Sequence, residues 1–76
     1  MAPTTPLLIG QAIRRARKAM GLRQPELAAA AGVGLRFLVE LERGKPTAQL
    51  GLTLAVLHAV GLDLKLVGAG LDGPAP

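Results

Sequence analysis

Cysteine, tryptophan and tyrosine are absent from this chain of 76 residues, and Phe37 is its only aromatic residue. Without cysteine there is no disulfide and no thiolate metal site to staple a small fold. Without aromatics the core has to be aliphatic, built from Leu, Val, Ile and Ala. The length allows one small domain and no second core. A domain this short, with no staple, often needs a second copy of itself to bury enough apolar surface.

Long hydrophobic runs are missing too. The stretch between Lys45 and Asp63 carries no formal charge, but Gln49, Thr53 and His58 interrupt it and it is too short to span a bilayer. The N-terminus has no basic segment followed by an apolar run, so no signal peptide is expected, and the expected location is the cytoplasm. Catalytic groups are equally scarce. His58 is the only histidine and sits in an apolar segment, Asp63 across Gly61 forms no motif with it, and no glycine-rich loop follows a strand. No enzyme activity, no metal and no cofactor are expected.

Acidic residues are few, with five against nine basic ones, for a net charge of +4 and a pI near 10.8. That balance suits a polyanionic partner. "MAPTTP" and "GAGLDGPAP" at the ends are rich in Pro, Gly and Ala. They give an expected division into a disordered N-terminus over 1–5, one domain over 6–67 and a disordered tail over 68–76.

Inside those limits the pattern is helical. Thr5-Pro6 reads as an N-cap followed by proline at the first helical position. Ile9, Ile13, Ala16 and Met20 then form one apolar stripe up to Gly21. Gln24-Pro25-Glu26 opens a second helix that ends at Gly32. A third runs from Gly34 or Leu35 to Arg43, and Gly44 stops it. Thr47 is the expected cap of a fourth, which reaches Val60 before Gly61. Gly51 inside that helix costs about 1 kcal/mol relative to alanine, unless close packing requires it or the helix begins later.

The fourth helix is apolar nearly all round. Leu50, Leu54 and Leu57 make one stripe, and Leu52, Val56 and Val60 cover another side. Such a helix is expected to be buried on two sides, one facing the domain core and one a partner subunit. After it, Leu62, Leu64 and Leu66 alternate with Asp63 and Lys65, the period of a strand. A lone strand leaves its edges unpaired, and a second copy supplies a matching one. The expectation is a homodimer whose interface contains Leu52, Val56, Leu62, Leu64 and Leu66.

Helices two and three, joined by Gly32-Val33-Gly34, have the form of a helix-turn-helix. Leu27 and Val33 supply a small shared core, Ala28 allows close approach, and Gly32 suits the positive φ of the turn. Leu38 and Leu41, with Phe37, face inward. Leu35, Arg36, Val39, Glu40 and Arg43 are left pointing outward.

"GLRQPELA" and "LERGK", within Leu8 to Val60, resemble the lambda-repressor-like helix-turn-helix domain of the Xre class. The continuation "GLDLKLV" resembles the HipB-type antitoxins, which partner HipA-like kinase toxins and pair their terminal strands across a dimer. The implied fold is all-α: a small lambda-repressor-like bundle of four to five helices, with a C-terminal β-strand pairing across a homodimer. The implied activity is sequence-specific repression, through a palindromic operator in double-stranded DNA.

The resemblance also assigns residues. Gln24 matches the glutamine that touches the DNA backbone, beside the helix N-terminal N–H groups. Arg23 stands where Thr or Ser is usual, losing a cap and offering a phosphate contact. Gly34 stands where Ser or Thr often caps the recognition helix. Arg17 and Glu42 match a structural salt bridge, which would also aim Arg17 at a phosphate. With the third helix in the major groove, Arg36 is the one long donor in its first turn. A bidentate bond to guanine O6 and N7 is its most informative use, worth about 1–3 kcal/mol of discrimination. Leu35 and Val39 can touch only thymine methyls, Glu40 can accept from cytosine N4, and Lys45 suits a phosphate.

Leu35 and Val39 depart from the family, whose residues there are usually polar. Three readings follow: a slight rotation of the helix that tucks them against neighbours, a DNA-reading face of low information content, or a face that binds a protein. The run "RRARK", Arg14 to Lys18, is spread around its helix and is read mainly as a solvated face. The leading expectation is the DNA-binding antitoxin of a HipA/HipB-like operon. The alternatives are a toxin-neutralising or scaffold dimer with weak DNA binding, and a prophage repressor.

Overall fold

The computed structural model describes residues 3–68. The tails expected to be disordered fall outside that range, apart from 3–5 and Gly68. Within it the chain forms four helices: α1 Pro6–Ala19, α2 Gln24–Ala31, α3 Leu35–Glu42 and α4 Leu50–Ala59.

Helix α1 begins where the Thr5-Pro6 signal puts it, and the Thr5 hydroxyl accepts from the Leu8 N–H at 3.2 Å. Ile13 is completely buried, with Ile9 and Ala16 packed beside it. Met20 falls off this stripe. It is the C-cap rather than a helical residue, and it is half exposed. The backbone N–H of Leu22 then bonds to the Arg17 carbonyl and that of Gly21 to the Lys18 carbonyl, closing the helix in a Schellman pattern.

The core is aliphatic. Ile13, Leu27, Leu38 and Val56, one from each helix, are sealed from solvent, and Ala28, Leu41, Leu57 and Val60 surround them. Full burial of each large side chain contributes about 1.5–3 kcal/mol. α3 packs against α1 and α2, and α4 closes on α2. The α1–α3 contact depends on Gly10. A β-carbon there would lie 2.4 Å from the Leu41 carbonyl oxygen and 2.8 Å from that of Glu42. Gly44 works from the other side, with φ +91 and the Leu7 α-carbon 2.8 Å from where its own β-carbon would be.

Three expectations need correction. α4 starts at Leu50 with Gln49 as its N-cap, not at Thr47. Pro46 and Thr47 form a turn instead, after which Ala48 packs on the core. The late start puts Gly51 in the first turn, in open space, so no close packing accounts for it. Val56, expected at a dimer interface, is fully buried inside the protomer. An all-apolar helix gives no periodic signal to fix its rotation, and Thr53, Val56, Leu57 and Val60 are the ones that turn inward. Finally, Leu62–Val67 forms no strand among the described residues. A strand exists by pairing, and one copy of this chain offers that segment no partner.

Candidate nucleic-acid interface

The corner between α2 and α3 is made by backbone geometry. Gly32 takes φ 72 and ψ 31, a left-handed conformation that glycine adopts without a β-carbon clash. The Val33 N–H bonds back to the Ala28 carbonyl at 3.0 Å. Gly34 then returns to extended geometry as the N-cap of α3, with no side chain on the cap and nothing within 4 Å of where a β-carbon would sit. The start of α3 is left open to whatever approaches it.

Behind this corner lies a buried ion pair. The Arg17 Nε donates to Glu42 Oε2 at 2.7 Å and its Nη2 to Oε1 at 3.0 Å. Its Nη1 donates to the Leu22 carbonyl at 2.9 Å. The hydrogen bonds it donates to Glu42 raise the guanidinium's pKa above its already high ordinary value. Three of the five guanidinium N–H groups are thus engaged inside the protein, which gives Arg17 the structural role expected of it, and one hydrogen on each Nη stays unused by these bonds. Gln24 joins the same carboxylate, its Nε2 donating to Oε1 at 3.2 Å. One amide hydrogen and the amide oxygen of Gln24 remain for another partner. Helices α1, α2 and α3 are thereby tied through one carboxylate.

In front of the pair is a cleft lined by Arg14, Arg17, Gln24, Val39, Glu42 and Arg43. Arg14 and Arg43 are exposed and Val39 is half-buried. The sequence reading left Arg14 among solvated charges. The signal that finds it is its place three residues before Arg17, on the adjacent turn of the same helix.

The outer face of α3 carries the remaining candidates. The Arg36 side chain is 94% exposed and its Nε donates to Glu40 Oε1 at 3.1 Å. Lys45 Nζ donates to the other carboxylate oxygen, Oε2, at 2.5 Å. The hydrogen bonds from Lys45 and then Arg36 hold the Glu40 carboxyl below its ordinary value, keeping it ionised. Leu35 is exposed beside Arg36. Arg23 projects from the start of α2 with its side chain 86% exposed, and Glu26 Oε1 accepts from its backbone N–H at 2.8 Å. Arg23 and Gln24 thus stand at the start of α2 and Gly34, Leu35 and Arg36 at the start of α3, while Val39 and Glu40 lie farther along α3 and Lys45 beyond its end.

The residues expected at a dimer interface do not form one group. Val56 is internal, Leu62 packs partly on the core, and Leu52 and Leu64 are 36% and 39% exposed. Leu66, with Val67 beside it, is mostly exposed. No group of three or more His, Asp or Glu side chains suited to a metal occurs among the described residues. No helix there is long and apolar enough to cross a membrane.

The helix-turn-helix family model matches residues 13–66. The chain is 53% identical over 66 residues, 87% of each protein, to an uncharacterized HTH-type transcriptional regulator, y4mF, of Sinorhizobium fredii (strain NBRC 101917 / NGR234). Among solved structures it resembles the clp gene regulator ClgR of Corynebacterium glutamicum at 34% identity and a TM-score of 0.70, over 84% of this chain and 82% of that one. It shares a fold with HipB in a HipB-O4 20mer complex, at 22% identity and a TM-score of 0.78, over 91% of this chain and 97% of that one. The chain belongs to the helix-turn-helix family of DNA-binding transcriptional regulators.

Proposed function

We propose that this protein is a homodimeric repressor that binds a palindromic operator, acting as the antitoxin of a HipA/HipB-like pair. The observation that carries the DNA-reading part is the exposed Arg36 guanidinium in the first turn of α3, beside the open ends of α2 and α3. In the major groove Arg36 reads a guanine. Leu35 and Val39 touch thymine methyls, and Arg23, Gln24, Lys45 and the Gly34 backbone meet phosphates. Two copies related by a two-fold axis place their α3 helices about 34–36 Å apart, one turn of DNA.

The antitoxin part draws support from the fold. HipB, which shares it along 97% of its chain, occurs in a solved HipB-O4 20mer complex and in a HipA-HipB-O2-O3 complex. The C-terminal segment then pairs with its copy, placing Leu64 and Leu66 in the interface, and a kinase toxin is the second partner. The direct test is an electrophoretic mobility shift on the DNA upstream of the protein's own gene, at two salt concentrations. The expected result is a shifted, salt-sensitive complex, with Arg36→Ala losing sequence preference but keeping salt-dependent binding. No wild-type shift at low salt overturns the reading.

A second reading rests on Leu35, which is 46% exposed and apolar on the same face. In it the protein is mainly a toxin-neutralising or scaffold dimer with weak DNA affinity. Stable co-purification with the neighbouring gene product, together with weak operator binding, is the outcome that favours it.

A further inference from the structure

We infer that Glu40 is a positioning residue for base recognition: it holds the Arg36 guanidinium by its Nε, so that Arg36 reads one guanine end-on through Nη1 and Nη2. The inference rests on the DNA-reading function proposed above and assigns Glu40 a role other than contact with a base.

The geometry carries it. A guanidinium offers two forks of paired donors, one from Nε and one Nη, the other from the two Nη groups. In this structure Nε is taken by Glu40 Oε1 at 3.1 Å. The fork that remains is the one at the tip, which matches guanine O6 and N7. Glu40 is itself held, because Lys45 engages Oε2 from beyond the end of α3 at 2.5 Å. The carboxylate is therefore held at both oxygens, each already accepting one hydrogen bond within the protein. The Glu40 side chain is 29% exposed, against 94% for Arg36. The anchor thus lies nearer the protein and the reading group nearer the solvent.

Electrostatics makes the inference decidable. An acidic residue on a DNA-reading face repels phosphates, so a purely incidental Glu40 would lower binding to every sequence equally. A positioning Glu40 also repels, but it fixes an otherwise mobile side chain before the DNA arrives, and that helps only where a guanine is in reach. Removing its charge should therefore move the two affinities in different directions: non-specific binding rises and preference for guanine falls. Leu35 and Val39 supply no hydrogen bonds, so no neighbour in the first two turns of α3 compensates for a disordered Arg36.

The test is selection from a duplex pool with a random core of about 20 bp, two turns of DNA. Wild type, Glu40→Gln, Arg36→Ala and Lys45→Gln are compared, with thermal unfolding of each as a control for folding. Wild type is expected to enrich one guanine per half-site. Glu40→Gln should bind unselected duplex more tightly yet lose about threefold or more of the guanine preference. Lys45→Gln should lose affinity for all sequences and, by loosening Glu40, part of the preference as well. If Glu40→Gln binds more tightly and enriches the same guanine as strongly as wild type, the positioning role is overturned and the DNA reading stands. If wild type enriches no sequence, the DNA reading fails and the positioning role fails with it.

Discussion

The Arg17 guanidinium lies along the Glu42 carboxylate, with Nε 2.7 Å from Oε2 and Nη2 3.0 Å from Oε1, at a point where three helices meet. Both side chains are nearly sealed from solvent, at 10% and 3% exposure. Burying two charges is costly in itself, so such a pair is a weak source of net stability. Its severity shows when one member is removed. Glu42→Ala leaves the guanidinium buried beside an empty space and frees Gln24. It is expected to destabilise the fold by about 3 kcal/mol. For a domain of this size that lowers the Tm by about 12 °C or more. The apolar double variant Arg17→Met/Glu42→Leu should recover most of the loss, as thermal unfolding followed by circular dichroism would show. If Glu42→Ala unfolds at the wild-type temperature, the pair has no structural role.

Two glycines should respond in opposite ways. Gly10→Ala puts a β-carbon 2.4 Å from a backbone oxygen of α3, and backbone cannot swing aside as a side chain can. Separating α1 from α3 costs about 1–3 kcal/mol, the range for overpacking. Gly34→Ser meets nothing, keeps an ordinary φ of −70 and supplies the missing cap on α3. A gain of about a few tenths of a kcal/mol is expected. Chemical denaturation of the two variants against wild type measures both. The assignment of these glycines fails if Gly10→Ala is as stable as wild type.

What could be read in the sequence was what is local. Gly32 and Gly34 mark the corner because backbone conformation is a property of one or two residues. The i, i+4 spacing that lets Arg36 and Glu40 pair is equally local, although the sequence alone reads the two separately, each as a contact to a base. Gly10 was not legible, since a glycine within a helix says nothing of the carbonyls it meets 31 and 32 residues later. Val56 was misplaced for a related reason. Where every face of α4 is apolar, only the tertiary fit decides which side turns inward. The alternation over Leu62–Val67 was visible in the sequence, but a strand exists only when paired, and pairing is not a property of the segment alone.

Stability should decline in acid. The Glu26 carboxyl is held below its ordinary 4.5 mainly by the Arg23 backbone N–H. Glu40 is held below 4.5 first by Lys45 and then by Arg36, and Asp63 below 3.8 mainly by the Leu64 backbone N–H. A carboxyl whose folded pKa is depressed stabilises the fold fully above its unfolded value. That contribution disappears as pH falls through the lower folded value. The Tm is therefore expected to be flat from about pH 7 to about pH 5 and to fall below about pH 4.5. Glu26→Gln should remove part of that slope at low ionic strength. A Tm that rises on acidification contradicts these three assignments.

Self-association and folding should separate cleanly between Leu66 and Val56. Leu66 is 80% exposed in the protomer, so replacing it costs the single chain almost nothing. If the C-terminal segments pair across a two-fold axis, Leu66→Asp places like charges near each other in a two-stranded ribbon and weakens the dimer. Val56 has no exposed surface, and Val56→Ala removes buried methyl groups from the contact of α4 with the core. It should lower the Tm through a cavity, at a cost of about 1–3 kcal/mol, with little effect on the dissociation constant measured well below the Tm. Sedimentation equilibrium at micromolar concentration gives the association state, and circular dichroism the folding. Wild type is expected to sediment as a dimer and Leu66→Asp to shift toward monomer with its helices intact. A monomeric wild type removes the ribbon, and with it the two-fold symmetry on which a palindromic operator depends.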